Sequence, residues 1–264
     1  MRANVYFTRE ITPEKVVELY RALGVELPGK VAVKVHSGEK GNQNFLRPEF
    51  WCPMVEEVHG TIVECNTAYG DAAGGVRDHT ESHRKLLQEH GWTKYFDVDL
   101  MDAEGPDVVW PIPNGKVLKE NHVGKHILHY DSMLVLAHFK GHPMGGYGGA
   151  LKQLAIGCAS RAGKALIHSA GKTDDRFKTW EQHASSVVFP EAMADAASSV
   201  IEHFRGKIAF INVMKNLSVD CDCCAVAEDP CMKDIGILAS LDPVAIDQAC
   251  IDLVMKSNDP GREH

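Results

Sequence analysis

Four short runs rich in β-branched residues, at 5–8, 31–36, 61–66 and 97–101, alternate with segments of helical period through the first hundred residues. Strands separated by helices cannot pair as hairpins. Each helix carries the chain back along the sheet, so the strands run parallel and need cover on both faces. The expected fold class is therefore α/β, a doubly wound, mostly parallel sheet with helices on both faces. Thr12 at an N-cap and Pro13 at the first helical position open one helix, with Val16, Val17, Leu19, Tyr20 and Leu23 as its apolar face. Further helices are expected at 48–59 and at 77–90, the latter stopped by Gly91.

The stretch 106–124 has no period and is either a loop or a small hairpin. A buried strand is expected at 132–139, then a glycine-rich turn and a helix, a helix at about 189–206, a strand at 207–213, and a last helix capped by Asp242 with Pro243 at its first turn. The 264 residues form one α/β domain, 1–264, or two packed lobes of about 1–105 and 106–264. The sequence stops at 259–264 without a closing element, so a further C-terminal segment is expected.

A net charge of −8 provides no long-range attraction to nucleic acid or an anionic membrane, and no nucleic-acid or membrane partner is expected. The first residues lack a signal-like apolar core, and no apolar run reaches 18 residues. The chain is expected to be cytoplasmic, where structural disulfides are disfavoured and its eight cysteines need another role. Cys52, Cys65, Cys158 and Cys250 lie in apolar segments and read as small buried hydrophobes.

Cys221, Cys223, Cys224 and Cys231 fall within eleven residues, just after a strand end, where α/β folds place their sites. Their spacing is neither a zinc ribbon nor a ferredoxin run, yet it offers up to four soft ligands for an iron–sulfur cluster or a single iron or zinc ion. The alternative is a reactive or incidental group of thiols. Asp220, Asp222, Glu228 and Asp229 make this loop acidic, and an inward-facing Asp247 is expected to hydrogen-bond it.

The glycine turn is the second candidate site. If the strand stays extended past Phe139, His138, Lys140 and His142 point the same way. Gly145, Gly146, Gly148 and Gly149 let backbone N–H groups approach a phosphate- or carboxylate-bearing ligand, and the helix starting near Ala150 directs its positive end and Lys152 there. Without a ligand, the same residues make a tight turn with locally satisfied histidines. The middle of the chain holds His122, His126, His129, His138, His142, His168 and His183, seven of the 14 histidines. Lys164 and His168 either close the pocket from its far side or lie on the surface. His83 and His90 have a bland reading as solvent-face helix residues.

These motifs resemble the family labelled "domain of unknown function 362", many members of which are described as iron–sulfur proteins. The matching residues are 66–70 with Arg77, Thr80, His83 and 90–91; 138–153 with 157–164; and Cys221 to Cys223 with 234–248. The resemblance implies no settled activity. Many relatives carry a ferredoxin-type insertion after the segment matching 164–172, whereas this chain has cysteine-free 173–180, so the family's usual electron-transfer clusters are absent. A shorter likeness to lactate-racemase-type proteins falls on His138, His142 and Lys152. The expected function is that of a metal- or iron–sulfur-binding protein with an anion or cofactor pocket and a redox partner protein. The alternatives are a racemase- or oxidoreductase-type enzyme on a small organic acid, with His138 and His142 exchanging protons and Lys140 or Lys152 holding a carboxylate, and a zinc-stapled binding scaffold.

Overall fold

The computed structural model describes residues 3–70 and 74–264. In chain order the first half contains β1 (Val5–Thr8), α1 (Pro13–Ala22), β2 (Val31–Lys34), α2 (Pro48–Glu57), β3 (Thr61–Glu64), α3 (Thr80–Glu89), α4 (Trp92–Tyr95) and β4 (Val98–Leu100). A hairpin of β5 (Val108–Pro111) and β6 (Glu120–Val123) follows, then a 3-10 turn at Lys125–His129, β7 (Ser132–His138), and the small pair β8 (Lys140–His142) and β9 (Gly146–Gly148). The rest comprises α5 (Ala150–Cys158), α6 (Arg161–His168), α7 (Val188–His203), β10 (Ile208–Met214), β11 (Gly236–Ser240) and α8 (Pro243–Met255).

One seven-stranded sheet runs in the order β1-β11-β10-β7-β2-β3-β4. β10, β7, β2, β3 and β4 are mutually parallel, and β11 is antiparallel to both of its neighbours. Successive residues of the central strands feed opposite cores. Ala32, Met133 and Val135 pack with α5, α7 and α8 on one face, whereas Val33, Leu134 and Leu136 pack with α1, α2 and Trp92 on the other. The sheet is thus doubly wound, with helices on both faces, and β7 from the second half of the chain pairs with β2 from the first. No helix among the described residues is long and apolar enough to cross a membrane.

Several local expectations need correction. The helix expected from residue 77 begins at Thr80; it ends at Glu89 as expected, with Gly91 at φ 81° just past its cap and opening α4. α6 and β11 were not foreseen: β11 is five buried residues, Gly236 to Ser240, too rich in small residues to carry a strand signal. The stretch 106–124 is the hairpin rather than a loop. Thr12 and Asp242 do cap α1 and α8, the latter accepting from the Val244 and Ala245 amides at 2.9 and 3.0 Å.

From β2 the chain winds outward to β3 and β4, then returns to the other side of β2 at β7 and winds on to β10. Crossovers diverge between β2 and β7, and a crevice opens there at the carboxyl ends of the strands.

Candidate functional site

That crevice is a cavity of about 60 Å³ lined by charged and polar groups from the ends of β2, β3 and β7, from β8 and from α5 and α6. Such a volume suits a few waters, a metal ion or a small anion. Lys34, the last residue of β2, and Glu64, the last of β3, both have buried side chains and pair at 2.6 Å. Glu64 also accepts from the Ser37 amide at 2.8 Å and hydroxyl at 3.0 Å. Burial opposes its charge, but the Lys34 and Arg77 cations prevail and lower its pKa to about 2. Arg77 donates through Nε to Glu39 at 3.0 Å and through Nη2 to the Tyr69 hydroxyl at 2.9 Å.

The extension of β7 through β8 carries His138, Lys140 and His142 into the site, all three buried. Asp222 receives the first two: Lys140 Nζ lies 2.6 Å from its Oδ2, and His138 Nδ1 lies 3.0 Å from each oxygen. Burial opposes the Asp222 charge, but the His138 and Lys140 cations hold its carboxyl well below the usual range. His138 Nε2 meets the Lys215 carbonyl at 2.5 Å, so both ring nitrogens face oxygen acceptors. That ring is an anchor for the cysteine loop and has no nitrogen left for a ligand.

The cysteine loop is clamped by backbone contacts. Gly141 N donates to Ser218 O at 2.8 Å, and a Cβ on Gly141 would lie 2.3 Å from the Val219 carbonyl, so glycine is required for this approach. Asn42, Gln43 and Asn44 donate side-chain amides to the carbonyls of Cys224, Ala227 and Glu228, and the Tyr69 hydroxyl donates to Cys223 O. Held in this way, Cys221 and Cys223 meet His142 with potential ligand atoms all within 4.8 Å of one another. Cys221 is pushed up by its hydrogen bond to Cys223 and by burial, while Cys224 is lowered by the Cys223 hydrogen bond.

The four cysteines do not converge. Cys231 lies on the bridge between Leu217 and Met232 with its sulfur on Leu217 O, apart from the Cys221–Cys223–His142 group, because the intervening residues fold outward. Cys224 is half-buried and also outside that group. Three donors, two of them thiols, can hold a soft metal. His142 Nδ1 accepts from the Met144 and Gly145 amides at 3.2 and 2.9 Å, which leaves the ring proton on Nε2. Ligation by this ring therefore requires it to turn. Burial and then Lys152, His168 and Lys140 lower its pKa to about 2, so it is neutral.

The glycine turn departs from expectation at the helix. Asp247 already occupies the N-terminus of α5, accepting from Ala150 N at 2.8 Å and Leu151 N at 2.9 Å, and it takes an amide proton of Asn212 at 2.7 Å. It does not reach the cysteine loop. A Cβ on Gly149 would sit 2.4 Å from its Oδ1, so Gly149 admits the protein's own carboxylate rather than a ligand's. Gly148 and Gly149 line the cavity; Gly145 and Gly146 lie in the outer turn, Gly146 at φ 77° with nothing near it. Lys152 reaches the cavity, its Nζ 3.1 Å from Cys221 Sγ.

Lys164 and His168, one turn apart on α6, close the far wall. Lys164 Nζ donates to Ala159 O at 2.6 Å, and burial lowers its pKa despite nearby Cys65 and Asp102. His168 Nδ1 lies 2.7 Å from Lys164 O, which leaves Nε2 as an acceptor, and burial lowers its pKa to about 4. His83 is fully buried between Asn66 and Ser37, not on a solvent face. Lys34, His36, Glu39 and Glu64 were not anticipated from the sequence. The available signal was an ionisable residue closing a β-branched run, as in 31–34 and 61–64.

The fold and this edge define a doubly wound α/β protein with a charged cavity at its switch point. The chain belongs to the family described as "Domain of unknown function (DUF362)", whose model matches residues 31–252. None of the curated proteins matches it. Among solved structures it is similar to a protein from Thermotoga maritima, with 13% identity and a TM-score of 0.52 over 95% of this chain and 60% of that one. It is also similar to the lactate racemase apoprotein from Thermoanaerobacterium thermosaccharolyticum, with 13% identity and a TM-score of 0.47 over 78% of this chain and 50% of that one. The chain thus spans 60% or less of these proteins' lengths.

Proposed function

We propose that the protein binds a small carboxylate or phosphate in this cavity, beside a single soft metal ion, iron or zinc, held by Cys221 and Cys223. One observation carries the reading. Lys34, Arg77, Lys140, Lys152 and Lys164 all line a buried cavity, while the carboxylates that pair with this group are Glu39, Glu64 and Asp222. Lys152 and Lys164 have no carboxylate partner within salt-bridge distance among the described residues. Burying an ammonium without an anion is expensive, and an anionic ligand removes that expense. With two thiols converging, a four-cysteine cluster lacks its ligands, and a mononuclear metal suits the donors better. The Lys152 ammonium beside Cys221 would stabilise the thiolate that such a metal requires.

A second reading, an enzyme on a small organic acid, is favoured by His168. This ring is neutral, oriented by its own backbone bond, and has Nε2 free, whereas His138 is occupied at both nitrogens. In that reading His168 moves the proton and the unpaired lysines hold the acid.

Metal analysis of anaerobically purified protein, together with calorimetry against phosphate and small carboxylates, tests the proposal. About one equivalent of iron or zinc and saturable anion binding weakened by Lys152→Ala are expected. Wild-type protein that binds none of these anions, with or without metal, would overturn it.

A further inference from the structure

The histidine-rich middle of the chain is only partly used by the cavity. His126 and His129 lie outside its lining, in the 3-10 turn at Lys125–His129. Side chains at i and i+3 eclipse in a 3-10 helix, and these two rings stack with centroids 4.9 Å apart and planes 24° apart. Fully buried Ile127 anchors the turn, and His126 N donates to Met101 O at 3.0 Å. Both rings are thereby fixed on one exposed edge.

Asp99, from β4, completes the arrangement. Its Oδ1 lies 2.7 Å from His126 Nδ1, and its Oδ2 accepts from the Tyr130 hydroxyl at 2.9 Å. The carboxylate therefore accepts a hydrogen bond from Nδ1–H, which leaves His126 Nε2 as the unprotonated nitrogen. This carboxylate–imidazole relay is the usual support of a metal-bound histidine, here with the carboxylate itself held by a tyrosine. Asp99, His126 and His129 each offer a potential ligand atom, all within 4.8 Å of one another.

We propose that His126 and His129 form a second metal site, distinct from the cavity, for a borderline divalent ion of the Zn²⁺, Ni²⁺ or Cu²⁺ class, with Asp99 as its positioning residue. Paired imidazoles select such ions over Mg²⁺ or Ca²⁺. Water fills the remaining coordination positions on the exposed side. The Asp99 hydrogen bond to His126 ties this turn, which leads into β7, to β4.

The test is a titration of the full chain carrying Cys221→Ser and Cys223→Ser with Zn²⁺, read by calorimetry and by histidine NMR signals. One equivalent is expected, shifting the His126 and His129 signals first. His129→Gln, at an exposed position with no fold to lose, should weaken binding at least tenfold, and His126→Ala likewise. Asp99→Asn should weaken it roughly 10–100-fold and change the His126 tautomer in the metal-free protein, which loss of mere packing would not do. Affinity unchanged within twofold in His129→Gln, or equal shifts of all exposed histidines, would overturn the site as an adventitious ion only. Mg²⁺ competing as well as Zn²⁺ would overturn the ion class.

Discussion

Replacing Asp222 probes the join between the cysteine loop and the sheet. Among the described residues its carboxylate is the one acid that Lys140 and His138 share, and all three side chains are at most 3% exposed. Removing one partner of a buried ion pair leaves uncompensated charge and costs about 3–5 kcal/mol. Asp222→Ala strands the Lys140 ammonium and removes the acceptor of His138 Nδ1, so the loss should fall in that range. At roughly 2–4 °C per kcal/mol for a chain of this size, the melting temperature should drop by about 6–20 °C. Asp222→Asn preserves shape and one acceptor, so its loss should be smaller. The folded carboxyl titrates below its unfolded counterpart, so its stabilisation is present above about pH 4 and is lost as pH falls further. Wild type and Asp222→Asn should therefore converge in stability on acidification. Thermal melts from pH 3 to 8 measure both effects. Losses under about 1 kcal/mol for both variants at pH 7 would refute the buried ion triad.

Four further outcomes follow from the geometry. Asp247, raised to about 6 mainly by burial, should titrate near that value by carboxyl ¹³C NMR. Because its folded pKa exceeds its unfolded one, its contribution is most favourable below about pH 4 and declines by up to about 3 kcal/mol as pH rises through 6, a trend absent from Asp247→Asn. Cys221→Ser with Cys223→Ser should abolish the thiolate-to-metal absorption of cobalt-loaded protein, while Cys231→Ser leaves it intact; equal loss in both would return Cys231 to the site. Lys152→Ala should weaken anion binding by about 1.5–3 kcal/mol in calorimetry, the range for a hydrogen bond to a charged group. Gly149→Ala, whose Cβ would collide with Asp247, should cost about 1–3 kcal/mol in urea denaturation.

What could be read in the residues divides along a physical line. β-Branched and apolar runs bounded by turns, helical period and cap residues located β1 to β4, β7, β10, α1, α2, α7 and α8. These signals could not report β11, whose Gly236, Ala239 and Ser240 carry little β preference and owe their strand to antiparallel pairing with β1 and β10. The same limit governs the site. His138, Lys140 and His142 were legible because a strand alternates its faces, a local rule. Asp247 was not, because its role at the N-terminus of α5 depends on α8 crossing that point, and nothing within 242–248 specifies the crossing. Cys231 shows the converse error: closeness in sequence suggested closeness in space, but the loop carries its sulfur to Leu217.

The residues that sequence reasoning overlooked were nevertheless marked. In a parallel sheet buried on both faces, an interior strand position tolerates charge only where the strand ends and a crevice begins. Lys34 closes Val-Ala-Val-Lys and Glu64 closes Thr-Ile-Val-Glu, each a charged terminus on an apolar run, and they meet because β2 and β3 are neighbours. A strand that ends in charge is costly unless its neighbour ends in the opposite charge, so such pairs report the sheet order as well as the site. Lys140, at the start of β8, instead meets Asp222 of the cysteine loop, whereas Lys152 and Lys164, which arrive from helices, have no carboxylate within salt-bridge distance among the described residues. The unpaired charge among the described cavity residues therefore comes from α5 and α6, and under the proposed anion binding those two helices are expected to recognise the ligand's negative group.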